Sequence, residues 1–160
     1  MLFRSVRLIV SVYPASNRQV PLNEASRAQF ASYAAGLAQG VPLLRDFIIG
    51  NEPNLNYFWL PQYDRKSRSV SPAAYVKLLA ATYDALKTVD PSITVIGGSV
   101  SPRGTDRPFG LRPTHSPGAF ILGMGAAFRA LGRTAPIMDQ FAFHPYGASS
   151  KTPPWKRNVN

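Results

Sequence analysis

Glu52 sits in the stretch Phe47-Ile48-Ile49-Gly50-Asn51-Glu52-Pro53-Asn54, and aromatic residues follow at Tyr57, Phe58, Trp59 and Tyr63. The apolar run is too short for a helix and stops at a turn signal. It reads as a buried strand that delivers a carboxylate from its C-terminal end. A carboxyl held in an apolar, aromatic setting has a raised pKa and can protonate a leaving oxygen. Retaining cleavage of a glycosidic bond needs such an acid, with a second carboxylate about 5 Å away as nucleophile. Asn51 adds an amide able to bond a hydroxyl that gains charge in the transition state. Trp59 and the tyrosines offer flat faces for a pyranose ring. His144-Pro145-Tyr146 forms a second polar and aromatic group further along the chain.

The elements that must position these residues follow from periodicity and punctuation. Strands are expected at Leu8 to Val12, Asp46 to Gly50, Ile93 to Gly98 and Asp139 to Phe143, each apolar and bounded by turn residues. A helix is expected from Glu24 to Gln39, capped by Asn23, with Ala25, Ala28, Phe30, Tyr33, Ala34 and Leu37 on its apolar face. A second is opened by Ser71 as cap with Pro72 in the first turn, and ends at Asp90-Pro91. A third runs from about Pro117 to Leu131, with Met124, Phe128 and Leu131 as core at helical spacing.

Strand centres at Ile9, Ile48, Val95 and Phe141 recur at roughly 40 to 47 residues, the repeat of βα units with long loops. The fold class is therefore α/β, either an open doubly wound sheet or half of a barrel. The loops decide between them. Tyr13, Asn51-Glu52, Ser99 to Ser101 and His144 to Tyr146 all follow C-terminal strand ends, whereas the loops entering the strands are plain. Chemistry at one rim and economy at the other is the barrel pattern. No Gly-x-Gly-x-x-Gly follows a strand, since Gly97-Gly98 lacks the third glycine. The expectation is a partial (β/α)8 TIM barrel of about four βα units over residues 1–147, then an irregular tail, 148–160. A full barrel takes about 250 residues.

Bulk properties set further bounds. With 160 residues, 45% hydrophobic and 16% charged, the chain suits one globular domain. The absence of cysteine removes disulfides, thiolate metal sites and a Cys nucleophile, and leaves the compartment open. A net charge of +10 first suggests nucleic acid. The charges are scattered, however. The clusters Arg65-Lys66-Ser67-Arg68 and Lys151 to Arg157 come without a nucleic-acid motif, so solvated loops are the preferred reading. Met1 to Val10 is a weak match to a signal peptide. Arg7 interrupts it and no cleavage site follows, so it reads as the approach to a strand. No apolar stretch is long enough to span a membrane. Asp106 and His115 lack further ligands nearby, so neither a metal nor a cofactor is expected.

Gly50-Asn51-Glu52-Pro53, with His144-Pro145-Tyr146 two strands later, resembles the clan of retaining (β/α)8-barrel glycoside hydrolases, the cellulase-like enzymes. The resemblance covers about residues 6 to 147. It implies that Glu52 is the general acid/base at the end of the fourth barrel strand. By the same resemblance Asn51 bonds the sugar 2-hydroxyl, and His144 and Tyr146 line the subsite at the sixth-strand end. The chain would then carry strands three to six. The clan's nucleophile, a glutamate ending the seventh strand, has no counterpart: Glu24 opens a helix, and no carboxylate follows Asp139. The expectation is a fragment, inactive alone, with two unpaired sheet edges that favour self-association.

Plainer readings stand beside these. His144 is either a substrate contact or a satisfied rim histidine, and Trp59 either stacks a sugar or packs its loop. Tyr13 and Ser99 read as scaffold. Two other functions remain open: a non-enzymatic carbohydrate-binding fragment using Tyr57, Trp59 and Tyr63, and a basic α/β domain binding nucleic acid.

Overall fold

The computed structural model of the chain describes residues 7–147, 149, 151–153 and 155. In order these form β1 (Ile9–Val12), α1 (Glu24–Gly40), β2 (Asp46–Ile49), α2 (Ser71–Val89), β3 (Thr94–Val100), α3 (Pro117–Ala130) and β4 (Gln140–Phe143). Neighbouring strands all pair in parallel, in the order β1-β2-β3-β4. An open doubly wound sheet reverses its strand order at a switch point. Sequential order with right-handed crossovers instead keeps every helix on one face, as in a barrel wall. The chain is α/β, and its sheet is a partial (β/α)8 barrel.

The core lies between sheet and helices. Val10, Phe47 and Val95 share one register row. They belong to one cluster with Tyr75, Val76, Leu78, Leu79 and Leu86 of α2 and with Phe120 and Met124 of α3. Each fully buried leucine there contributes about 1.5–3 kcal/mol. The alternate row, Ser11, Ile48, Ile96 and Gln140, points to the opposite face, which lines the lumen in a closed barrel. β3 approaches α2 so closely that a Cβ at Gly97 would lie 2.7 Å from Leu79 and 2.6 Å from Met138.

Local details refine the expected elements. Asn23 does cap α1: its side chain accepts the Ser26 N–H at 2.8 Å, and the Ser26 hydroxyl receives the Asn23 N–H, a capping box. The face of α1 differs from expectation. Ala31, Ala34 and Ala38 are buried, while Ala25, Ala28 and Tyr33 are exposed. Alanines let α1 lie close against α2, and the larger Tyr33 turns outward. Ser71 is not the cap of α2. Val70 occupies that position without a side-chain bond, and the Ser71 hydroxyl donates to Gln62 Oε1 at 3.0 Å. β3 runs two residues beyond the expected Gly98.

Beyond β4 an apolar groove of about 330 Å³ is lined by Ile121, Met124, Phe128, Ile137, Met138 and Phe141. The expected tail falls largely outside the described residues, as do Met1 to Val6 and Arg157. Its described members form no helix or strand. No helix among the described residues is long and apolar enough to cross a membrane.

Candidate active site

Glu52 leaves β2 through a turn that ordinary residues resist. Gly50 has φ +88°, and a Cβ there would meet the Tyr75 ring at 2.9 Å. Glu52 itself has φ +41°, a left-handed conformation unusual for a side-chain-bearing residue. Two bonds from β3 and α2 hold the turn. The Glu52 N–H donates to the Ser99 carbonyl at 2.9 Å. The Tyr75 hydroxyl donates to Ile49 O at 2.6 Å and receives the Gly98 N–H at 2.8 Å, fastening the ends of β2 and β3 together. Burial holds the Tyr75 phenol far above its ordinary pKa, so it remains a donor.

The carboxyl of Glu52 is largely buried, and its Oε1 lies 3.0 Å from Nδ1 of His144, which directly follows β4. Nε2 of His144 lies 3.0 Å from the Ser99 hydroxyl. The Tyr146 ring sits 5.3 Å from the His144 ring, tilted by 50°. Among the described residues Oε2 of Glu52 and the Asn51 amide have no hydrogen-bond partner. Glu52 and the His144-Pro145-Tyr146 stretch, far apart in sequence, therefore meet at one rim, with Asn51 next to Glu52 in the chain.

Trp59 does not join them. It is 1% exposed, packs edge-on against Tyr75, and its indole Nε1 has no partner. The expectation of a Trp59 stacking face is corrected: the indole fills the core beneath the loop and offers no face to a sugar. Tyr57, 76% exposed, is the aromatic left open in that loop. Tyr63 stacks on His115 at 4.3 Å and donates to Thr114 O.

Two residues without a role in the sequence reading organise the rim from beneath. Asn54 is fully buried. Its Oδ1 accepts the Ser101 N–H, and its amide N–H groups are shared among the carbonyls of Ser101, Arg103 and His115. Gln62 donates to Pro53 O and Trp59 O, which leaves its Oε1 as acceptor for Ser71 and for Nδ1 of His115 at 2.8 Å. His115 then takes the Ser69 hydroxyl at Nε2, 2.7 Å away. Burial lowers the His115 pKa and keeps the ring neutral. An amide residue in a long loop was the available signal, but sequence alone does not show that it is buried or which carbonyls converge on it.

Among the described residues no second carboxylate pairs with Glu52 or its neighbours at the rim. Asp46 pairs with Arg7, which lowers its pKa, and Asp90 pairs with Arg45. Asp139 pairs with Lys87, Asp84 with Arg133 and Asp64 with Arg68. Asp106 accepts the Ser116 N–H, and Glu24 lies in the first turn of α1. The Asp64 contact also ties down Arg68, so the basic run Arg65 to Arg68 is not a row of free cations. No group of three His, Cys, Asp or Glu among the described residues is placed to hold a metal.

No family model and no curated protein matches the chain. Solved structures do. A family 39 glycoside hydrolase from the gut symbiont Bacteroides cellulosilyticus is similar at 27% identity and a TM-score of 0.48, over 80% of this chain and 21% of its own. A monomeric β-xylosidase from Caulobacter crescentus is 26% identical with a TM-score of 0.47, over 77% and 20%. The GH39 enzyme from Xanthomonas axonopodis pv. citri is 24% identical with a TM-score of 0.50, over 76% and 21%. The chain spans about a fifth of the length of the solved structures it matches. Sequential parallel strands and the likeness to the Xanthomonas enzyme together establish a chain with the fold of one part of a (β/α)8 barrel.

Proposed function

We propose that this chain is the acid/base-bearing part of a retaining glycoside hydrolase acting on a β-linked oligosaccharide or polysaccharide. The observation that carries the reading is the state of Glu52. It sits just past a strand end, next to Asn51 in the chain, with one carboxyl oxygen tied to His144 and the other without a hydrogen-bond partner among the described residues. In that role Glu52 protonates the leaving oxygen in the first step and takes a proton from water in the second. Asn51 bonds a ring hydroxyl, and His144 and Tyr146 wall the subsite. Among the described residues no carboxylate is placed to perform the other half of the double displacement, attack by a second carboxylate.

The purified chain is therefore expected not to turn over an aryl β-glycoside, and Glu52→Gln is expected to leave that baseline unchanged. Steady hydrolysis by the wild type that the substitution abolishes would show that a nucleophile is present after all. A non-enzymatic carbohydrate-binding role is the second reading, favoured by the exposed ring of Tyr57. It requires sugar binding that Tyr57→Ala removes and Glu52→Gln does not.

A further inference from the structure

Ser99 reads from sequence as scaffold, yet the backbone around it is arranged for its hydroxyl. β3 and β4 pair in register up to Gly98↔Ala142, then resume at Val100↔Phe143, so Ser99 is the extra residue of a bulge. Bulges re-aim a side chain. Here Gly98 has φ +83° and Ser99 φ +49°. A left-handed serine is strained where glycine would not be, and such strain persists where the surroundings hold it. The bulge presents both polar groups of Ser99 to the candidate site. Its carbonyl accepts the Glu52 N–H at 2.9 Å, and its hydroxyl lies 3.0 Å from Nε2 of His144. The His144 N–H in turn donates to Val100 O at 3.0 Å, which fixes the ring's backbone to the same bulge.

Hydrogen-bond chemistry assigns the direction of the chain. With any acid proton carried on Oε2, Oε1 only accepts, so Nδ1 of His144 must carry the proton it gives to Glu52 Oε1. Nε2 is then a lone pair in a half-buried position and needs a donor. Ser99 Oγ–H is the donor within reach among the described residues. We infer that Ser99 is a positioning residue for Glu52: its hydroxyl holds the His144 ring as the Nδ1–H tautomer, which pins Oε1 and leaves Oε2 as the oxygen that exchanges a proton with the substrate. The role of Oε2 rests on Glu52 being the acid/base, whereas the tautomer does not.

The test is the two-bond proton–nitrogen spectrum of the imidazoles in the full chain at neutral pH. Only two histidines contribute, and His144→Asn assigns them. The expected wild-type pattern is a single Nδ1–H tautomer for His144 with Nε2 as acceptor. Ser99→Ala is expected to lose that single-tautomer pattern and to shift the Nε2 resonance. Ser99→Gly is expected to do the same, and glycine accepts φ +49° without strain, so it keeps the test readable should the alanine variant fail to fold. The His115 pattern is expected to stay fixed in both and reports the intact rim. An Nε2–H tautomer in the wild type, or an unchanged His144 pattern in either folded variant, would overturn the inference. Sugar binding that fails while the tautomer behaves as expected would remove the acid/base role of Glu52 and leave Ser99 as its positioning residue.

Discussion

Asn54→Ala is expected to destabilise the chain by about 3–5 kcal/mol, through the loss of a buried amide whose partners have no alternative. The side chain is fully buried, and it bonds the backbone at Ser101, Arg103 and His115. Alanine leaves the Ser101 N–H and those carbonyls without their partner inside the protein, each at a cost of about 1–3 kcal/mol where water cannot replace it. Relaxation of the loop limits the total. The loop between β3 and α3 depends on this clamp, and Gln62 reaches it only through His115. A fall in the urea midpoint at nearly constant m-value is the expected signature, with early hydrogen exchange over residues 101–116. Asn54→Asp, which keeps the acceptor and loses the donors, should cost nearly as much.

Tyr75→Phe is the second large effect, about 2–4 kcal/mol, although it removes a single oxygen. That oxygen bridges Ile49 O and the Gly98 N–H, both buried among β2, β3 and α2. The ring packing against Trp59 and Phe120 survives in the variant, so the loss isolates the hydrogen bonds from the core. These bonds hold Ile49, just before the left-handed Gly50, and the left-handed Gly98 itself. The turns aim Glu52 and Ser99, so the variant should also disturb the His144 contact. A urea midpoint unchanged from wild type would show that the two strand ends are fixed by packing alone.

How much of this was legible in the sequence depends on whether the information was local. The strands announced themselves through short apolar runs bounded by turn residues, and α2 through Leu78, Leu79, Thr82 and Leu86 at three- and four-residue steps. The Gly50-Asn51-Glu52-Pro53 turn marked its strand end because glycine and proline constrain the backbone there. The βα alternation alone serves both architectures; the rim bias of the loops pointed to the barrel, and the sequential strand order agrees. Trp59 misled because an aromatic in a polar loop looks the same whether it faces sugar or core. Its 1% exposure comes from Tyr75, more than a dozen residues away. Ser99 was hidden for a related reason. A bulge is a relation between two strands, and nothing in Gly97-Gly98-Ser99-Val100 says that β4 will skip a residue.

The central claim, that Glu52 and its neighbours form the acid/base half of a glycosidase site, is tested most directly by titrating the isotope-labelled chain with a β-linked oligosaccharide. Binding is predicted to move the signals of Asn51, Glu52, His144 and Tyr146 together. Glu52→Gln should retain binding and Asn51→Ala weaken it, while the indole signal of buried Trp59 stays still. If the oligosaccharide instead moves Tyr57 alone, or leaves the signals of Asn51, Glu52 and His144 in place at saturation, the account is contradicted.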